Sequence, residues 1–137
     1  MQKYYLDTCI WRDYYENRSD KFRPLGDWAF ELIKKIIKEG DLIVYSNQVE
    51  RELCKAYNSE EIKEIISIVP RKLLVKIDVH KDVVREACDL SKRNSIPASD
   101  AIHVILAKRQ EAILVTRDKH FYESEEFVDA KKPEELI

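Results

Sequence analysis

Apolar residues fall along this chain in two rhythms. Short solid runs occupy residues 4–6, 42–45, 73–77 and 112–115, each long enough for a buried strand and too short for a helix. Between them the apolar positions recur every three or four residues. Ala29, Leu32, Ile33, Ile36 and Ile37 follow i, i+3, i+4, i+7, i+8, which predicts a helix capped by Asp27 and ended by Gly40. A second helix opens at Ser46 or Asn47; with Asn47 as the cap, Glu50 falls at N3 and completes a capping box. A third opens near Ser59, buries Ile62, Ile65, Ile66 and Val69, and stops at Pro70. Residues 79–94 are amphipathic, with Val83, Val84, Ala87 and Cys88 inward. From Pro97, the residues Ala101, Ile102, Val104, Ile105, Leu106 and Ala107 leave almost no polar face, so this helix is expected to be central and buried. Residues 12–26 are polar, with Pro24 and Gly26 as breakers, and read as irregular. After Phe121 the tail is acidic, with one short edge strand expected at Phe127 and Val128.

Strands alternating with helices imply an α/β fold: a parallel sheet of about four to five strands with helices on both faces. The chain shows no internal repeat, linker or low-complexity tract, and its 137 residues suit one domain over 1–137. In such sheets ligands bind beyond the carboxyl ends of the strands.

Two of the apolar runs end on acids at that rim. Asp7 follows the first run and Asp118 follows the last. In isolation, Asp7 reads equally as a turn residue or as the cap of a helix beginning near Thr8, and Asp118 as ordinary turn material. Glu52 lies three residues after Val49 and four before Ala56, so with Leu53 it borders the inward stripe of its helix. A carboxylate pointing inward without a partner is expensive, unless it snorkels to the surface. Asp100 opens the buried helix, where it or Ser99 caps the end and complements the dipole. Yet Val104 and Ala107 lie at i+4 and i+7 from it, so it also points along a packed face.

Four acids in one cleft repel and raise one another's pKa. A divalent cation reverses that penalty, and Mg²⁺ and Mn²⁺ take carboxylate oxygens without needing His or Cys. An all-acid site with no Ser–His or Cys–His pairing points to metal-assisted hydrolysis of phosphate esters.

Composition narrows the setting. Hydrophobic residues make up 45% of the chain, which argues against disorder. No stretch approaches the roughly 20 apolar residues of a membrane span. The start lacks a signal-peptide pattern, so a soluble cytoplasmic protein is expected. Cys9, Cys54 and Cys88 are odd in number and in no CxxC pair, so they read as buried small hydrophobes rather than a disulfide framework or zinc site. His80, His103 and His120 show no ligand spacing such as HExxH, which argues against a histidine-based metal site. A net charge of −2 gives no overall basic surface for nucleic acid. Locally, Arg12, Tyr14, Tyr15, Arg18, Lys21 and Arg23 place cations and aromatic rings soon after Asp7, as single-strand binding uses. The other reading is a solvated loop offset by Asp13, Glu16 and Asp20. Arg117, beside Asp118, is a candidate for phosphate contact or for screening the acids.

With the stretches "YYLDTCIW", "SNQVEREL", "PASDAIHVILAK" and "ILVTRDKHF" in this order and spacing, the sequence resembles the PIN-domain family over nearly its whole length. That family comprises metal-dependent ribonucleases, among them the toxins of many bacterial and archaeal toxin–antitoxin pairs. The resemblance implies Asp7, Glu52, Asp100 and Asp118 as the catalytic, metal-holding acids, with Thr8 and Thr116 as supporting hydroxyls. It further implies a central strand ending on Asp7, a bound Mg²⁺ or Mn²⁺, a homodimer and a small antitoxin partner. On this reading Asp7, Asp100 and Asp118 hold one or two ions, and Glu52 binds metal or orients the water that attacks a phosphodiester of single-stranded RNA. Two positions depart from the family pattern: Cys9 stands where Asn or Ser is frequent, and His120 where some members carry another acid.

A haloacid-dehalogenase-type phosphatase needs a second Asp two residues after Asp7, where Cys9 stands. A phosphorylation receiver would use Asp78 and an acidic pair near the first strand, but Asp7 has no acidic neighbour until Asp13. The remaining alternative is an RNA-binding or assembly module without catalysis, which retention of all four acids argues against. An amphipathic antitoxin segment would need an apolar groove, which the helix pair over 47–69 supplies unless that face is core.

Overall fold

Tyr5 and Leu6 are both fully buried although they point to opposite faces of their strand. A strand covered on both faces belongs inside a parallel sheet. The computed structural model describes residues 1–118, 121 and 128–137. Among them are strands β1 (Lys3–Leu6), β2 (Leu42–Ser46), β3 (Leu74–Ile77), β4 (Ile113–Val115) and β5 (Ala130–Lys131). They form one five-stranded sheet in the order β3-β2-β1-β4-β5, with every pairing parallel and β1 at the centre. Among the described residues, six α-helices flank it: α1 (Thr8–Glu16), α2 (Leu25–Lys38), α3 (Asn47–Leu53), α4 (Ser59–Ile66), α5 (Lys81–Asn94) and α6 (Ala98–Arg109). None of the described helices is long and apolar enough to cross a membrane.

The order of the strands determines where a site can form. The chain passes from β1 through α1 and α2 to β2, and through α3 and α4 to β3. It then returns across the sheet through α5 and α6 to place β4 on the other side of β1. The connections therefore diverge between β1 and β4, and a crevice opens at the carboxyl ends of those two strands. Leu6 pairs with Val115 there, and the Asp7 N–H donates to the Val115 carbonyl over 2.9 Å. The apolar helix α6, buried from Ala101 to Ala107, runs beneath this crevice toward β4.

Several sequence expectations change in the structure. The stretch over 12–26 is helical through Glu16, because its polar residues find partners: Asp13 is only 3% exposed and faces Arg18 and Arg117. Helix α2 starts at Leu25, so Asp27 lies in its first turn rather than at its cap. Ser46, not Asn47, caps α3; the Asn47 side chain instead accepts the Val79 N–H, and Glu50 accepts from the Tyr45 hydroxyl. The capping box forms one helix later, between Asn58 and Glu61. On α5 the buried stripe is Val83, Ala87 and Leu90, which leaves Val84 and Cys88 exposed. Cys54 is exposed as well, whereas Cys9 is half-buried and packs against the core, so only Cys9 comes near the expected buried small hydrophobe. The last strand is Ala130–Lys131 rather than one at Val128; Phe127 and His120 lie outside the described residues.

One glycine is required by close approach. A Cβ on Gly26 would lie 2.6 Å from the Asn17 Cα and 2.7 Å from the Asp13 carbonyl oxygen. Only a hydrogen at that position lets the start of α2 rest on the end of α1.

Candidate active site

Asp7 directly follows Leu6, the last paired residue of β1, and caps α1. Its extended backbone (φ −61°, ψ 154°) ends the strand, and its Oδ1 accepts the Thr8 N–H over 2.7 Å. Both sequence readings of Asp7, as a cap and as a site acid, are thus compatible. A carboxylate is favoured at this spot because the N-terminal end of a helix carries partial positive charge. Oδ2 accepts the Thr116 hydroxyl over 2.8 Å and the Cys9 thiol over 3.3 Å. The Cys9 thiol is pushed well above its ordinary pKa, first by burial and then by the Asp7 charge, so it stays a neutral donor.

Glu52 reaches the same place from α3. Its Oε1 accepts the Thr8 hydroxyl over 2.5 Å and lies 2.8 Å from His103 Nε2. Its Oε2 accepts the Gln48 amide over 3.1 Å. Burial alone would raise the Glu52 pKa, but the hydrogen bond from His103 and the other donors outweigh it and bring it down to about 2. Glu52 is therefore an ionised carboxylate at neutral pH. Asp7 and Glu52 each accept three donors, and a carboxylate has about four acceptor positions. Each acid is held rigidly and keeps roughly one position for a ligand.

His103 is the residue that sequence reasoning missed. It is 1% exposed, and its Nε2 lies 3.7 Å from Asp7 Oδ1 as well as 2.8 Å from Glu52. Its Nδ1 lies 2.7 Å from the Tyr5 hydroxyl. Burial lowers its pKa, yet the Glu52 hydrogen bond and the charges of Asp7, Glu52 and Asp100 raise it on balance. The signal was present in the sequence: one polar residue in an otherwise apolar helix, three positions after Asp100. A search for His pairs at ligand spacing could not find it, because its partners come from other elements.

Asp7, Glu52 and His103 form a group whose ligand atoms all lie within 4.8 Å of one another. Asp100 and Asp118 fall outside that group. Asp100 occupies the first turn of α6, near enough to act on His103. Asp118 follows β4, where its N–H donates to the Thr116 hydroxyl over 3.1 Å, one hydrogen bond away from Asp7. Thr8 and Thr116 are therefore the links between acids, Thr8 joining Asp7 to Glu52 and Thr116 joining Asp7 to Asp118. The donor set fits a hard divalent ion: an ionised carboxylate, a second carboxylate with an open position, and no thiolate ligand.

Arg117 and Arg12, the candidates for phosphate contact, both have acidic and aromatic neighbours. Arg117 Nε lies 3.4 Å from Asp13, its terminal nitrogen lies 2.9 Å from Glu134, and its guanidinium stacks 5.5 Å from the Trp28 ring centre. Arg12 pairs with Glu16 over 3.0 Å and lies over Tyr57. Tyr14 stacks on Phe30, and Tyr15 meets Tyr57 edge to face. Arg12, Tyr14 and Tyr15 thus make contacts within the molecule's own surface.

The fold and the sequence both have known relatives. Three solved structures superimpose over nearly the full chain. One is a toxin–antitoxin complex from Klebsiella pneumoniae (TM-score 0.68, 16% identity, 95% of this chain and 97% of that one). A second is VapBC2 from Rickettsia felis bound to a DNA fragment from its promoter (TM-score 0.69, 18% identity, 96% and 98%). The third is VapBC-1 from nontypeable Haemophilus influenzae (TM-score 0.66, 17% identity, 97% and 99%). At these identities the likeness is one of fold. No curated protein matches the sequence. The PIN domain, however, matches residues 4–126, which include Asp7, Glu52, Asp100 and Asp118, and the chain belongs to the PIN-domain family.

Proposed function

We propose that this protein is a metal-dependent endoribonuclease that hydrolyses phosphodiester bonds of single-stranded RNA, acting as the toxin of a toxin–antitoxin pair. The observation that carries the reading is the convergence of Asp7 and Glu52 at the switch point, each held by three donors with a position left open. Membership of a family of nucleases supports it, as do structural neighbours solved as toxin–antitoxin complexes.

Asp7 and Glu52 would hold Mg²⁺ or Mn²⁺, with Asp100 and Asp118 completing the acidic rim. Such an ion supplies Lewis-acid chemistry: it neutralises phosphoryl oxygens and makes a water more acidic. The chain's own residues do the rest. Thr8 and Thr116 hold the Asp7 and Glu52 oxygens in fixed directions, so no reorganisation is needed when substrate binds. Asp100, in the first turn of α6, and Asp118, after β4, would orient the attacking water or help hold a second ion. The antitoxin is the expected protein partner, and residues 1–137 act as one nuclease domain.

The test is cleavage of a mixed panel of single-stranded RNAs with Mg²⁺ or Mn²⁺, comparing the native protein, Asp7→Asn and an EDTA control. Asn caps a helix as well as Asp, so this variant keeps the fold. The expected result is metal-dependent cutting that disappears in folded Asp7→Asn. Cutting that survives EDTA or Asp7→Asn would refute the assignment.

A further inference from the structure

We infer that His103 is a positioning residue, which holds Glu52 through a closed chain of buried side chains and does not ligate the metal. The inference rests on the metal-dependent reading above.

The donors around Glu52 fix the direction of the link from His103. Gln48 donates its amide to Glu52 Oε2 and Thr8 donates its hydroxyl to Oε1, so both oxygens of Glu52 are acceptors. At 2.8 Å from Oε1, His103 Nε2 must then be a donor. A ring nitrogen that carries a proton has no lone pair for a cation. The other ring nitrogen faces away from the crevice, 2.7 Å from the Tyr5 hydroxyl. That hydroxyl lies 2.7 Å from Ser46 Oγ, and Ser46 Oγ accepts the Val49 N–H over 3.3 Å.

In the tautomer with the proton on Nε2 alone, Val49 N–H donates to Ser46, Ser46 to Tyr5, Tyr5 to Nδ1, and Nε2 to Glu52. Each donor has an acceptor and none is left over. The chain begins at the capped end of α3 and returns to its last turn, so it fixes both the rotation of that helix and the rotamer of Glu52. Ser46, Tyr5 and His103 are 0%, 0% and 1% exposed, and a dry network loses more when one link is cut than a wet one does. Groups that orient a metal-binding carboxylate in this way typically change metal affinity or activity by about 10–100-fold.

The experiment uses the full chain with Mn²⁺ as the probe, in the absence of RNA, with free Mn²⁺ measured by electron paramagnetic resonance. Tyr5→Phe keeps the ring and removes one link; His103→Gln keeps an N–H near the position of Nε2; His103→Leu removes it. The expected result is Mn²⁺ affinity about 10-fold weaker in Tyr5→Phe and His103→Leu, with His103→Gln closer to native. Spin-echo modulation of bound Mn²⁺ should show no directly coordinated imidazole nitrogen. With RNA, Tyr5→Phe should lower kcat about 10-fold and leave KM unchanged. A coordinated nitrogen in the native protein, or native affinity in both Tyr5→Phe and His103→Leu, would overturn the inference. Native protein that binds Mn²⁺ with the expected variant effects but cuts no RNA would uphold the positioning role and reject the nuclease. Native protein that binds no Mn²⁺ overturns both.

Discussion

Thr116 donates its hydroxyl to Asp7 Oδ2 over 2.8 Å, joining residues 109 positions apart in the chain. The Thr116 hydroxyl oxygen in turn accepts the Asp118 N–H, so one buried hydroxyl links two of the four candidate acids. The parallel pairing of β1 with β4 brings it there, since Leu6 and Val115 are partners and their successors leave the sheet together.

Thr116→Val keeps the shape of the side chain and removes both bonds. The cost is expected at about 1–3 kcal/mol, because a buried carboxylate and a backbone N–H each lose a partner. Urea unfolding of metal-free protein measures it, and Thr116→Ser should recover most of the loss. Valine at native stability would mean that the hydroxyl does not organise the site.

Arg117 separates a structural from a substrate role. Its guanidinium lies between Asp13 and Glu134, and the Arg117 charge lowers the Glu134 pKa even though burial opposes that shift. Removing one member of such a buried set leaves charges uncompensated, at about 3 kcal/mol. Arg117→Met should therefore lower the melting temperature while leaving the salt dependence of RNA binding unchanged. A shallower salt slope with native stability would return Arg117 to the phosphate.

Acid unfolding should report Glu52. Its folded pKa is depressed to about 2 from 4.5, so its ionised form contributes stability that is complete above about pH 4.5. That contribution fades as pH falls from about 4.5 toward 2. In Glu52→Gln this component is absent, and the stability curve of the metal-free variant should be flatter over that window. Parallel curves for the two proteins would show that Glu52 is not held as an ion by His103 and Thr8.

Gly26→Ala places a methyl group against backbone atoms of Asn17 and Asp13 that cannot swing aside. Overpacking of this kind costs about 1–3 kcal/mol. A melting temperature lower by several degrees, with metal affinity unchanged, is the expected outcome. An unaltered melting temperature would show that α1 and α2 can separate without loss.

Much of the fold is written in local pattern. The four apolar runs become β1 to β4, and the solid run from Ala101 to Ala107 becomes the buried core of α6. Asp7, Glu52, Asp100 and Asp118 are legible because an acid at a strand end, on an inward stripe or at the start of a buried helix violates the pattern around it. Where polar residues satisfy one another across the fold, pattern misleads. Asp13 and Glu16 look like solvent-facing loop, yet Arg18 engages both, Arg117 engages Asp13 and Tyr57 engages Glu16, so a helix forms in their place.

Alone, the sequence determined the alternation of strands and helices and singled out four candidate acids, because burial periodicity and helix capping are properties of neighbouring residues. The tertiary structure decided which of those acids meet, that Arg117 faces Asp13 and Glu134, and that His103 stands behind Glu52. Those outcomes depend on contacts between residues 17 to 109 positions apart, as in Arg117–Glu134, Thr8–Glu52, Tyr5–His103 and Asp7–Thr116. Partners so distant are brought together by the path of the crossovers and the register of a parallel sheet, and no local spacing encodes either.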